Sequence, residues 1–186
     1  MRFLSLLFLT MMPFVTISAQ QKHSDTFDDI AQHVPLATML TLKAAGVDNG
    51  RNWWETIGTA ATAYILSEAI TYGLKHTVKK TRPDQDDHYS FPSGHTTLAF
   101  SGATILHKEY GHVSPWISVG GYTVATLTAI DRVRRDRHRW YDVAAGAGIG
   151  VVSTELIYYL SDQLFGKRDI RVAFSGNSLD VAIRIP

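Results

Sequence analysis

Along most of the chain, long apolar runs alternate with short polar gaps, and within the runs the apolar spacing is that of helices. Val34, Leu36, Leu40 and Leu42 predict a helix over residues 30–46, closed by Gly46 and Asn49-Gly50. After Trp53-Trp54, a stretch rich in Ala, Ile, Leu and Tyr predicts a long helix from 55 to about 76. An acidic, turn-forming loop follows over 80–90, with Arg82-Pro83-Asp84 near its start. Further helices are expected from Ser93 to about Glu109, from 116 to 130 after Pro115, and from 142 to 164 before Gly166, with a basic connector over 132–141. Only the tail changes period. Residues 170–174 and 179–185 alternate apolar and polar about Ser175-Gly176-Asn177-Ser178, a hairpin pattern. The expected fold is all-α, a helical bundle with a short C-terminal β-hairpin.

The beginning of the chain has a different character. Arg2 precedes an apolar stretch over 3–15, and Ile17-Ser18-Ala19 before Gln20 has the form of a signal-peptidase site. Residues 1–19 are therefore read as a signal peptide or, alternatively, an uncleaved N-terminal anchor. Residues 20–29 read as polar and loose. A single domain over 20–166 and a tail over 167–186 complete the division.

Short connections make neighbouring helices antiparallel. Counting directions along the four long helices brings three segments to one end of the bundle: 75–83, 92–95 and 131–142. They hold nearly all the clustered ionisable residues.

Composition narrows the chemistry. The chain has 186 residues, 45% hydrophobic and 19% charged, enough for one domain with a real core. Its net charge of +1 is uninformative, but Arg132, Arg134, Arg135, Arg137 and Arg139 crowd one short segment that could grip an anionic head group or simply be solvated. The absence of cysteine excludes a disulfide framework, a thiolate metal site and a lipidated N-terminal Cys. His23, His33, His76, His88, His107 and His112 are not spaced as metal ligands, so no metal and no cofactor are expected, and no nucleic-acid partner.

At the converging end, Pro92-Ser93-Gly94-His95 reads as a loop turning into a helix. Ser93 is a good N-cap and Gly94 lets a ligand approach the backbone. The first N–H groups of that helix would face an anion. Lys75, Arg82 and Arg132 add three cations. His138 and Asp142 stand four apart, so on a helical turn they would share a face, the carboxylate accepting one imidazole N–H and freeing the other nitrogen as a nucleophile. His95 remains as general acid for a leaving oxygen. Such a set suits phosphoryl transfer, where catalysis is mostly positioning and charge stabilisation.

The pattern Lys75-x6-Arg82-Pro83, then Pro92-Ser93-Gly94-His95, then Arg132-x5-His138-x3-Asp142, resembles the type 2 phosphatidic acid phosphatase (PAP2) family, whose superfamily includes class A acid phosphatases and vanadium-dependent haloperoxidases. The motifs span residues 75–142 in the expected order. The resemblance implies a metal-free phosphatase with a phosphohistidine intermediate. In it His138 is the nucleophile, Asp142 orients it and His95 protonates the leaving group. Lys75, Arg82, Ser93, Gly94 and Arg132 bind the phosphate. One departure is Asp131, where the family usually has Ser; a carboxylate there would repel a phosphate unless it turned away or paired with a neighbouring Arg. The substrates the resemblance implies are lipid-linked: phosphatidate, phosphatidylglycerol phosphate, an isoprenoid pyrophosphate or lipid A. A non-specific acid phosphatase on soluble esters and a vanadate-dependent haloperoxidase are the alternatives.

Membrane attachment is not fixed by the pattern. A span needs ~20 apolar residues; the run over 116–130 is short, while 55–74 and 143–160 each carry an internal Glu. The expected place is exported and periplasmic, at the membrane surface or partly embedded, with an integral arrangement as the alternative.

Overall fold

The computed structural model describes residues 26–85, 87–165, 169–175 and 178–184, with side chains described up to Leu164. The signal-peptide reading thus lies outside the described residues. Among the described residues six helices follow one another: α1 (Thr26–Ala31), α2 (Val34–Ala44), α3 (Trp53–Val78), α4 (Gly94–Tyr110), α5 (Pro115–Arg134) and α6 (Trp140–Phe165). Of the expected hairpin, the backbone of β1 (Asp169–Ser175) and β2 (Ser178–Arg184) is described, running antiparallel.

The bundle is organised around α4, which packs against α2, α3, α5 and α6. Its sequence explains why. Thr96, Thr97, Ala99, Ser101, Gly102, Ala103, Thr104, Ile105, Leu106, Glu109 and Tyr110 are all buried, so α4 is enclosed along most of its length and is exposed only at His107 and Lys108 near its end. Most of these side chains are small, which lets neighbouring backbones come close. Gly146 and Gly150 of α6 supply the matching groove. A Cβ at Gly150 would lie 2.4 Å from the Thr97 carbonyl oxygen, and one at Gly146 would lie 2.6 Å from that of Ser93.

Hydroxyls fill the seam between these helices. Thr71 Oγ1 donates to Thr97 Oγ1 (3.1 Å), Ser67 Oγ meets Ser153 Oγ (2.5 Å), and Ser101 Oγ meets Thr154 Oγ1 (2.9 Å). The apolar core gathers toward the far end of α4, where Met39, Leu42, Ala60, Ala63, Ile105, Leu106, Tyr110 and Tyr158 form one cluster.

Local signals set the helix ends. Asn52 and Glu55 form a reciprocal capping box at the start of α3, and Pro115 occupies the first turn of α5. Three boundaries differ from expectation. The helix expected over 30–46 is two helices, broken at Gln32-His33 ahead of Pro35, and part of the supposedly loose 20–29 segment is α1. α5 continues through Arg134, so Arg132 stands on a helix and the connector is only 135–139. α6 begins at Trp140, because the Asp142 carboxylate reaches back to the Arg139 N–H (Oδ2, 3.0 Å) and closes the first turn there.

Among the described residues one helical stretch, Trp140–Leu164, is long and apolar enough to cross a membrane, with mean hydropathy 1.4. Large apolar side chains lie exposed on several helices, including Trp54, Trp116, Trp140, Val152 and Leu164.

Candidate active site

The three converging segments meet as the helix directions require. Lys75 lies near the end of α3, Arg82 in the α3–α4 loop, Gly94 and His95 at the start of α4, and His138 in the α5–α6 connector. Together with Gln32, Glu68 and Leu98 they line a cavity of ≈ 230 Å³.

His138 is 2% exposed, and its Nδ1 is 2.7 Å from the Ser90 carbonyl oxygen. A carbonyl can only accept, so Nδ1 carries the proton and Nε2 keeps the lone pair. Burial, reinforced by the charges of Arg132, Arg82 and Lys75, drives the pKa of this imidazole down to about 2. The ring is therefore neutral at physiological pH, with a nucleophilic nitrogen on a cavity lined by cations.

Asp142 makes no hydrogen bond to His138. This corrects the reading in which the two share a helical face. His138 lies before α6 and Asp142 in its first turn, so four-residue spacing does not align them. The Asp142 carboxylate is fully buried and accepts from three donors: Lys80 Nζ on Oδ1 (2.5 Å), and Ser90 Oγ (2.8 Å) and the Arg139 N–H on Oδ2. Asp142 thus holds Ser90 by its hydroxyl, and Ser90 holds His138 by its carbonyl. The influence of the carboxylate on the ring is relayed.

Lys75 donates to the Tyr89 carbonyl (2.8 Å), and burial, with the nearby Arg82 charge, lowers its pKa to about 8. Arg82 Nε donates to Asp87 Oδ1 (2.8 Å), while its buried Nη1 has no hydrogen-bond partner among the described residues. Burial tends to raise the Asp87 carboxyl, but the Tyr89 N–H and the Arg82 guanidinium outweigh it and hold its pKa below the ordinary value.

Arg132 and Ser93 differ from the part expected of them. Neither lines the cavity: they are 1% and 0% exposed, behind its wall. Arg132 Nη1 donates to Asp28 Oδ2 of α1 at 2.9 Å, and burial pushes that carboxyl up against the pull of the guanidinium. The Ser93 N–H is spent on the Asp142 carbonyl (2.9 Å), and its Oγ accepts from Thr96 Oγ1 (2.9 Å) instead of capping α4. Ser93 therefore orders the loop, and the site's backbone face begins at Gly94.

His95 Nε2 lies 2.7 Å from Asp29 Oδ1 of α1. Asp131 turns to Arg135 one helical turn on (2.6 Å), which relieves the repulsion its position would otherwise cause. Arg137 pairs with Asp84 (2.9 Å), so this part of the basic segment ties the connector to the α3–α4 loop. His76 bonds the Tyr72 carbonyl and packs between the rings of Tyr72 and Tyr89. Among the described residues no group of three or more His, Cys, Asp or Glu could hold a metal ion.

Sequence reasoning missed Asp28, Asp29, Lys80 and Ser90. Lys80 could have been suspected as one more cation beside the first motif. Nothing in the sequence marked Ser90 or the two aspartates, which act through contacts made only in the folded chain.

The profile of a known family, the PAP2 superfamily, matches residues 56–165. A lipid A 1-phosphatase of Porphyromonas gingivalis is 39% identical over 139 residues, 74% of this chain and 31% of that protein. Lipid phosphate phosphatase 1 of Arabidopsis thaliana is 35% identical over 127 residues, 62% of this chain and 37% of that protein. The chain thus spans about a third of the length of these relatives. Among solved structures, LpxE of Aquifex aeolicus superposes with a TM-score of 0.57 at 23% identity, covering 76% of this chain and 88% of that one. A transmembrane PAP2-type phosphatidylglycerolphosphate phosphatase from Bacillus subtilis gives the same TM-score at 18% identity, covering 76% and 80%. These two likenesses show a shared fold.

Proposed function

Because the chain belongs to the PAP2 superfamily, we propose that it hydrolyses the phosphate of a membrane lipid without a metal, through a phosphohistidine formed on His138. The observation that carries this reading is the state of His138. It is a neutral imidazole whose proton is fixed on Nδ1, with its lone pair beside a cavity whose wall is cationic. Lys75 and Arg82 supply the charge that a phosphate needs, and Arg82 Nη1, which has no acceptor among the described residues, supplies a donor. Arg132 adds positive charge from behind. As His138 Nε2 attacks phosphorus, the bond to the leaving oxygen breaks and His95 delivers the proton that oxygen takes. Water then releases phosphate from His138, with His95 taking the water's proton. Asp142, through Ser90, keeps His138 in the tautomer this sequence requires.

The lipid part of the reading is supported by the relatives' names, by the apolar stretch Trp140–Leu164, and by the exposed tryptophans near helix starts, which suit a membrane interface. Lipid A, phosphatidate, phosphatidylglycerol phosphate and isoprenoid pyrophosphate are the candidate substrates, with the site at the periplasmic membrane surface.

The test is phosphate release in EDTA from a lipid phosphate in mixed micelles, beside a small soluble monoester. Preferential release from the lipid is expected. Equal or better release from the soluble ester would make this a scavenging phosphatase. Peroxide-dependent halogenation with added vanadate, and no phosphate release, would make it a haloperoxidase.

A further inference from the structure

The short helix α1 lies before the residues matched by the family profile, yet it reaches both sides of the site. Consecutive aspartates point to different partners: Asp28 to the buried Arg132, and Asp29 to His95, with Asp29 Oδ1 2.7 Å from His95 Nε2. We propose that Asp29 is the positioning residue of the general acid: it holds His95 by Nε2 and favours the protonated ring, so that Nδ1–H is delivered to the leaving oxygen. The proposal rests on the phosphatase reading above.

The need for such a partner follows from the charges around His95. Lys75 faces the cavity from α3, Arg82 from the α3–α4 loop and His138 from the connector, and Arg132 of α5 stands behind, paired with Asp28. A cationic surrounding disfavours an imidazolium. Among the described residues Glu68 of α3 brings a carboxylate to the cavity lining, and Asp29 of α1 is in hydrogen-bond contact with His95. The two histidines are thereby sorted. His138 bonds a carbonyl and is kept from Asp142 by Ser90, which leaves it neutral for attack. His95 bonds a carboxylate, which suits it to carry a proton. Environments that push paired titratable groups apart in this way assign the base and the acid of a reaction. The proton balance is simple. The electron pair of the breaking P–O bond stays on oxygen, which takes the Nδ1 proton, and His95 is left neutral with Nε2–H still directed at Asp29.

The experiment uses the full chain in detergent, as wild type, Asp29→Asn and Asp29→Glu, on a lipid monoester and on p-nitrophenyl phosphate, whose leaving group needs little protonation. Asp29→Asn is expected to lower kcat on the lipid by about tenfold with KM little changed, and to move the high-pH limb of the profile about one unit toward acid. Turnover of p-nitrophenyl phosphate should change far less, and Asp29→Glu should recover most of the loss. An NMR titration of the His95 ring in wild type and Asp29→Asn is read alongside. A midpoint moved toward acid supports the pairing whether or not turnover is seen; an unmoved midpoint overturns it. Equal losses on both substrates with an unmoved pH limb would also overturn it. A wild type inactive on both substrates would refute the phosphatase reading, while the titration would still decide Asp29.

Discussion

Helix α4 meets buried charge at both its ends, and the two ends are built in opposite ways. At the far end Glu109 is 1% exposed and is met by donors from three directions: Asn49 Nδ2 and Thr56 Oγ1 at its Oε2, and Tyr158 OH at its Oε1 (2.7 Å), with Arg51 4.0 Å away. Lys43 in turn braces Asn49 and the Arg51 carbonyl. One carboxylate is answered on every side, as buried charge generally must be. At the near end, Lys75, Arg82 and Arg132 crowd a neutral histidine, and a buried guanidinium nitrogen of Arg82 has no acceptor among the described residues. The first arrangement is complete within the protein and belongs to the fold. The second leaves a buried donor of Arg82 beside the cavity, which the proposed reading assigns to the substrate phosphate.

Removing one charge from each end should separate the two roles. Glu109→Ala leaves several buried donors unanswered and should cost about 3 kcal/mol of stability, read as a lower denaturant midpoint, with kcat of the folded fraction unchanged. Arg82→Ala should do the reverse, lowering kcat/KM by about a hundredfold while the denaturant midpoint moves little. If both variants lost activity and stability together, the division between the ends would fail.

A smaller effect is expected at the seam that aligns the near end. In Gly150→Ala the new methyl would press on the Thr97 carbonyl and the Ser101 N–H. That overpacking should cost about 2 kcal/mol, again with catalysis per folded molecule nearly intact, because Gly150 lies below the site.

The mildest test is pH. Lys75 has its pKa lowered from 10.5 to about 8, so the cation is lost from the empty site as pH rises through about 8, and KM should climb there. Stability runs the other way. Between about pH 8 and 10.5 the unfolded chain holds more protons at Lys75 than the folded one, so this group's contribution rises with pH, is complete above 10.5 and is lost as pH falls through about 8. A KM that rises while the melting contribution of Lys75 also rises, measured against Lys75→Met, is the expected signature. Parallel loss of both would contradict it.

The four long helices and the order of the motifs were legible in the sequence, because apolar runs and their Gly and Pro boundaries are local signals. Lys75, Arg82, Gly94, His95 and His138 met on one cavity for the same reason: alternating helix directions leave their segments no other common place. What was not legible depends on contacts between distant segments. The stretch Thr-Phe-Asp-Asp-Ile-Ala has too little apolar periodicity to announce α1, and its aspartates gain meaning only against Arg132 and His95. The four-residue spacing of His138 and Asp142 suggested a direct bond because it assumed a helix through both; the helix starts between them, and Ser90, 48 residues away from His138, makes the link. Ser93 had the residue type of a cap, but a neighbouring hydroxyl took its oxygen.

The central claim is that His138 Nε2 becomes covalently bonded to phosphorus. Its direct measurement is rapid quenching of the enzyme during turnover of a radiolabelled phosphate ester, followed by mapping of protein-bound label. Acid-labile label on His138, absent from His138→Ala protein that retains its melting transition, is the result expected. Turnover by His138→Ala, or label on any other residue, would contradict the account.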